Sequence, residues 1–153
     1  MAHLKKDANG HLWKNTAGHL VNECPERVPL VPSGPCQGCR ITYTLTVSGG
    51  NPAELCDGDN NCYCDCLNGV YTLTWNAGCE WLGTWDCGGG AGNCAGTFII
   101  NMSHTPAVGT TVFMPSVAAA CGTLQRAVPQ ACPALGAYTQ IAGNCTGISG
   151  VLS

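Results

Sequence analysis

Cysteine constrains the fold of this chain more than any other residue type. The sequence has 13 cysteines in 153 residues, a density typical of proteins whose folds are held by disulfide bonds. Disulfides persist outside the reducing cytosol, which indicates an oxidising environment. Because the number is odd, at least one thiol must be free, metal-bound or bridged to another chain. The disulfide candidates are Cys24, Cys36, Cys39, Cys56, Cys62, Cys64, Cys66, Cys79, Cys87, Cys94, Cys121, Cys132 and Cys145.

The segment from Cys56 to Cys94 holds seven of the cysteines and three of the four tryptophans. Within it, Cys62, Cys64 and Cys66 occupy alternate positions. In an extended segment such side chains point to one side. Neighbours at this spacing are poorly placed to bridge each other, so each is expected to reach a different part of the fold. The alternative is a zinc or iron–sulfur site, although the spacing of a paired C-x2-C metal motif is missing. Its ligands would be Cys36, Cys39, Cys62, Cys64 and Cys66.

Alternating apolar and polar residues predict β-strands along the body of the chain. Ile41–Val47 places Ile, Tyr, Leu and Val on one face and Thr on the other, as in a half-buried strand. Further strands are predicted at 70–75, 96–102, 110–114 and 137–141. Ser116 is expected to cap a short helix, and residues 147–153 are expected to form a tail. Strands about ten residues apart predict an all-β fold with a disulfide-stapled body resembling a β-sandwich or jelly roll.

Residues 1–23 are predicted to form an extended N-terminal arm. They contain an eight-residue repeat in which His-Leu recurs at His3, His11 and His19, and a glycine closes the first two units. An element so short cannot bury its own apolar face, so docking on a neighbouring molecule is predicted. The arm residues that would bind the partner are Leu4, Leu12, Trp13 and Leu20.

A linker and a single domain complete the predicted organisation. Residues 24–40 are rich in proline, which prevents a helix and favours extended, semi-rigid chain. Residues 41–153 are the predicted cysteine-rich β domain, and the length of the chain agrees with one domain.

The composition argues against some classes of partner. Asp, Glu, Lys and Arg make up 10% of the chain, against roughly 25% in an ordinary soluble domain. The formal net charge of −3 predicts no nucleic-acid partner, because phosphate binding needs clustered Lys and Arg. No apolar run is long enough to span a bilayer, so no membrane partner is predicted. The first residues lack the apolar core of a signal peptide, and synthesis without one is expected.

The sequence contains no recognisable catalytic motif, so neither an enzyme activity nor a cofactor is predicted. Residues 57–61 begin like a calcium-binding loop. However, Cys62 stands where the turn glycine belongs, and Asn68 stands where the bidentate glutamate belongs. A loop of Asx turns is therefore expected, with irregular calcium binding as the alternative. The oxygen ligands in that alternative would be Asp57, Asp59 and Asn61.

Three tryptophans suggest another function. An aromatic face with nearby Asn, Asp and Glu is what carbohydrate binding needs. Trp75, Trp81 and Trp85 would form the stacking platform of an extracellular carbohydrate-binding module. The structural alternative is that these indoles pack on disulfides in a small β core.

Two segments, His11 to Asn22 and Cys66 to Trp81, resemble cysteine-rich all-β proteins of bacteriophage particles and environmental bacteria. Together they cover about a fifth of the chain. The resemblance implies a structural virion protein, such as a capsid decoration (cement) or tail protein, rather than an enzyme. It implies a homo-oligomer, with a trimer as the expected symmetry. The implied partners are further copies of the chain and a major capsid or tail protein at the surface of the virion.

Overall fold

The structure is a computed structural model that describes residues 31–32, 34–56, 62–87, 97–115 and 120–153, without the side chains of Pro115 and Ala120. These residues contain eight β-strands, two short 3-10 helices and no α-helix. The 3-10 helices span Gly34–Cys36 and Cys64–Leu67. The strands are β1 (Thr42–Ser48), β2 (Gly69–Ala77), β3 (Glu80–Asp86), β4 (Thr97–Thr105), β5 (Gly109–Pro115), β6 (Ala120–Arg126), β7 (Gly136–Ala142) and β8 (Ser149–Leu152).

The eight strands form a closed antiparallel barrel in which each strand pairs with the next in sequence. The barrel is closed by β8, which pairs with β1 from Leu45↔Leu152 to Ser48↔Ser149. Two backbone hydrogen bonds of 2.9 Å between Thr44 and Ser153 extend this pairing. Closure removes the two unpaired strand edges that an open sheet of the same strands would expose.

The all-β prediction is confirmed, but the sheet closes on itself where two packed layers were expected. The difference arises at two places. The expected tail over residues 147–153 contains β8, which closes the barrel. The expected helix near Ser116 is replaced by β6, while residues 116–119 lie outside the described part. Pairing on both sides, with β5 and with β7, overrides the local preference of an alanine-rich segment.

Side chains from the strands fill the interior of the barrel, because successive residues of a strand point alternately inward and outward. Tyr43 and Trp81 meet edge to face with ring centroids 5.4 Å apart, and Trp85 stacks on Phe98 at 4.4 Å. Filling by side chains is expected of an eight-stranded barrel. The largest fully buried side chains are Trp81, Trp85, Tyr138, Leu45, Leu67, Leu73, Ile100, Met102, Met114, Leu124, Leu152 and Val112.

Disulfides join the segments at both ends of the barrel. At the end where β1 begins, Cys36–Cys79 and Cys39–Cys132 tie the first 3-10 helix region to the β2–β3 turn and to the β6–β7 connection. The other three described bridges lie at the opposite end, where β1 finishes; they are Cys56–Cys121, Cys64–Cys145 and Cys66–Cys87. The disulfide-rich prediction is confirmed, and two residues of the predicted linker, Cys36 and Cys39, are bound covalently to the barrel.

Two of the three alternating cysteines, Cys64 and Cys66, reach different parts of the fold, but the local structure differs from the one expected. Cys64 and Cys66 lie in a 3-10 helix rather than an extended segment. Cys64 bonds to Cys145 before β8, and Cys66 bonds to Cys87 after β3. Cys62 is also disulfide-bonded. Two further candidates, Cys24 and Cys94, lie outside the described residues.

A glycine on an inward position of β3 makes room for its neighbours. Gly83 lies between the buried Trp81 and Trp85. A Cβ at this position would lie 2.5 Å from Leu73 Cδ2 and 2.9 Å from the Thr72 carbonyl oxygen. These separations are too short for van der Waals contact, and the carbonyl belongs to the paired strand. The close approach of β2 and β3 therefore requires glycine here.

We expect Gly83→Ala to lower the free energy of unfolding by about 1–3 kcal/mol, because overpacking displaces Leu73 or the β2 backbone. The matched control is Thr84→Val on the adjacent, outward-facing position, which should change stability by less than about 0.5 kcal/mol. Denaturant unfolding of the oxidised variants measures both values. Equal stability of the two variants would contradict the packing described for Gly83.

Candidate interaction surface

The structure does not assemble the predicted tryptophan platform. Trp81 and Trp85 are 0% and 2% exposed, so neither indole has a face available to a sugar. Both occupy inward positions of β3, and the Trp81 Nε1–H donates to the Arg40 carbonyl at 2.9 Å. Trp75 is half-buried and donates to the Gly78 carbonyl in its own hairpin at 2.9 Å. Trp81 and Trp85 are therefore core residues, as the structural alternative expected, and Trp85 also contacts a disulfide.

Trp85 lies directly against a disulfide. Its Nε1–H points at both sulfurs of one bridge, 3.2 Å from Cys66 Sγ and 2.9 Å from Cys87 Sγ. Phe98 covers one face of the same indole. This cluster joins the second 3-10 helix to the end of β3, so it has a structural role at that end of the barrel.

The five cysteines considered as metal ligands are all disulfide-bonded. A disulfide sulfur is not the thiolate that zinc or an iron–sulfur cluster binds. Within the described ranges, no group of three or more His, Cys, Asp or Glu side chains is arranged to hold a metal ion. The calcium candidates Asp57, Asp59 and Asn61 and the arm residues Leu4, Leu12, Trp13 and Leu20 lie outside the described residues.

A buried histidine connects β4 to the β6–β7 connection. His104 is 3% exposed, and each ring nitrogen has a partner at 2.7 Å: Nδ1 faces Thr110 Oγ1, and Nε2 faces the Gln130 carbonyl. Because a carbonyl only accepts, Nε2 carries a proton and donates it to Gln130, while Nδ1 shares a hydrogen bond with the Thr110 hydroxyl. Both nitrogens are therefore engaged in holding the loop onto the barrel.

The outer wall of the barrel carries few charges. In the eight described strands, the Asp, Glu, Lys and Arg residues are Glu80, Asp86 and Arg126. Threonines alternate along β1 and β2 and face each other across the strands, in the pairs Thr42↔Thr74 and Thr44↔Thr72. Cross-strand threonine pairs stabilise a sheet and leave methyl and hydroxyl groups on its surface. The wall therefore offers a neutral surface of mixed apolar and hydroxyl groups.

A shallow groove of about 340 Å³ crosses this wall over β2, β3 and β4. The pairs Thr74↔Leu82 and Thr84↔Ile99 bring its side chains together. Ile99 is 55% exposed and contributes apolar surface to the groove. We call this feature the β2–β4 groove; it is lined by Thr72, Thr74, Leu82, Gly83, Thr84 and Ile99.

Sequence reasoning missed the β2–β4 groove because it did not recognise β3 as a strand. The signal was present in Glu80–Asp86, where tryptophan and glycine alternate with residues that are polar except for Leu82. Alternation of that kind puts Leu82 and Thr84 on the outer face once Trp81 and Trp85 point inward. Their contact with Ile99 depends on the pairing of β3 with β4, which no local pattern specifies.

Burial perturbs one tyrosine next to the second 3-10 helix. The Tyr71 hydroxyl donates to the Leu67 carbonyl at 2.7 Å. Burial raises the pKa of Tyr71 from 10.0 to about 12, because the charged phenolate would lose its hydration. The neutral phenol is therefore the form that the folded barrel favours.

Comparison of this chain with protein families, curated proteins and solved structures finds no match. Among the described residues, none lies in a helix of the length and apolar character needed to cross a membrane.

The contact between Trp85 and the Cys66–Cys87 bridge predicts a fluorescence change, because a neighbouring disulfide quenches excited indole. We expect Cys66→Ser combined with Cys87→Ser to increase the tryptophan emission of the folded protein. The control removes the bridge at the other end through Cys39→Ser and Cys132→Ser. The proposed contact is contradicted if both double variants change the emission equally, with folding verified by circular dichroism.

The raised pKa of Tyr71 predicts a loss of stability at high pH. In the unfolded chain the pKa of tyrosine is about 10, lower than in the folded protein. The neutral Tyr71 side chain therefore stabilises the fold fully at pH values below about 10. That contribution disappears as the pH rises towards about 12. Denaturant unfolding at a series of alkaline pH values measures it, and Tyr71→Phe should make the decline shallower. An identical decline in the variant and the unaltered protein would show that Tyr71 does not contribute.

Proposed function

We propose that this protein is a non-enzymatic structural component of a virus particle, a capsid decoration (cement) or tail protein of a bacteriophage. Its β-barrel reinforces the particle surface, and residues 1–23 link it to neighbouring molecules. It functions as a homo-oligomer, with a trimer as the expected symmetry, and it binds a major capsid or tail protein. It works outside the cell, where disulfides persist.

The observation that carries this proposal is the double constraint on the barrel. Backbone hydrogen bonds close the sheet laterally, and disulfides join the connections at both of its ends. A bridge that closes a loop of 15 to 100 residues lowers the entropy of the unfolded chain, which stabilises the folded state by about 3–5 kcal/mol. A body stabilised in this way resists thermal and mechanical unfolding, which is the property that a reinforcing protein needs.

The outer wall supports the same function. Charged residues are depleted from the buried centres of protein interfaces, and the strands of this barrel carry few of them. Exposed aliphatic side chains are distributed over several strands, among them Val70, Ile99, Ile141 and Val151. A neutral wall of this kind can pack against a particle or against further copies with little cost of charge desolvation.

The test has two parts. Particles isolated by density gradient from the native source should contain the reduced tryptic peptide 41–126 at a constant ratio to the major structural protein. Recovery of the chain only from the particle-free fraction would overturn a virion role.

For the arm, sedimentation of the full chain should reveal an oligomer, and deletion of residues 1–23 should yield a monomer with an unchanged melting temperature. An oligomer that survives the deletion would remove the arm from the mechanism.

A further inference from the structure

We propose that the β2–β4 groove receives the leucine-bearing repeat of residues 1–23 from a second copy of this chain. This inference rests on the proposed function, since it identifies the surface to which the arm binds. It goes further because it names a receptor site on the barrel.

The chemistry of the groove suits an aliphatic side chain. Leu82 and Ile99 supply apolar surface, and the threonines around them supply methyl groups together with hydroxyls that can hydrogen-bond to an extended peptide backbone. A volume of about 340 Å³ lies at the lower end of the range for binding pockets. The arm offers the same aliphatic residue three times, at Leu4, Leu12 and Leu20.

The first described residues of the chain are held at the barrel end next to the groove. The bridge Cys36–Cys79 fixes the first 3-10 helix at the β2–β3 turn. Cys79 is three residues before Leu82, which pairs with Thr74 at the groove. The 30 residues before Val31 could span up to about 100 Å when extended. An arm of that length can reach the equivalent groove of a neighbouring barrel.

The charges of the two parts are complementary. Residues 31–153 contain two basic and six acidic residues, a formal net charge of −4, whereas residues 1–23 contain three basic and two acidic residues, a formal net charge of +1. Glu80 is exposed on β3 at the end of the groove nearest the β2–β3 turn. The lysines of the repeat, Lys5, Lys6 and Lys14, would meet an acidic partner there. Opposite charges orient an approaching segment and speed its association.

Paired substitutions test the site in the full, oxidised chain. Ile99→Lys introduces a charge into the groove that repels the basic arm. Its control is Ile141→Lys on β7, a position of matching exposure, with 56% against 55% for Ile99. Sedimentation should show self-association weakened at least about tenfold by Ile99→Lys, which corresponds to about 1.4 kcal/mol, and unchanged by Ile141→Lys. Unaltered association of Ile99→Lys, or equal weakening by both variants, would overturn the proposal.

A second variant tests whether arm and groove form one contact. Replacing Leu4, Leu12 and Leu20 together with Ser should weaken association as Ile99→Lys does, and combining the changes should add little because both remove the same interaction. Full additivity would overturn the assignment. Normal melting temperatures of all variants exclude unfolding as the cause.

Cross-linking distinguishes binding between copies from binding within one copy. Isotopically labelled and unlabelled chains are mixed, and carbodiimide joins lysines to neighbouring carboxylates. Links between Lys5, Lys6 or Lys14 and Glu80 in mixed-label pairs support the proposal, and links confined to single-label species overturn it.

If deletion of residues 1–23 abolishes association while Ile99→Lys does not, the arm remains part of the proposed function and only the groove is excluded as its receptor.

Discussion

The pairing of β1 with β8 is the interaction on which the rest of the structure depends. It joins two strands from opposite ends of the β domain, with Leu45 opposite Leu152. Without it the sheet would have two free edges, and the inward side chains would face water on one side. With it, Trp81, Trp85 and Tyr138 become fully enclosed, and their hydrophobic burial then stabilises every strand of the ring.

The disulfides stabilise parts of the chain that the barrel cannot hold by itself. Hydrogen bonds between strands act around the barrel wall, but the long connection between β1 and β2 and the one between β6 and β7 lie beyond its ends. Bridges anchor these connections: Cys56 and Cys64 fix the former, and Cys132 fixes the latter. Buried polar groups assist, since His104 binds the Gln130 carbonyl from inside. Lateral pairing and end bridges therefore act in complementary directions.

Side chains of the described strands occupy the interior of the barrel, in the space that larger barrels use for ligands. The outer wall is the surface that these strands present to solvent. On that wall the charged side chains are few, and aliphatic groups such as Ile99 and Val70 stand among threonines. Such a surface favours contact with another protein surface over the capture of a charged small molecule. Rigidity and a neutral wall are the two properties that the proposed reinforcing role combines.

By itself, the sequence determined the features that depend on local pattern. Alternation identified β1, β2, β4, β5 and β7, and the density of cysteine indicated a disulfide-held all-β body. It also led to the expectation that Cys64 and Cys66 would find different partners. Only the tertiary structure decided that Ser149–Leu152 closes the sheet, that Trp81 and Trp85 face inward, and that Leu82, Thr84 and Ile99 share a groove. These features depend on strand register and on contacts between distant segments, whose energy appears only when the whole sheet has paired.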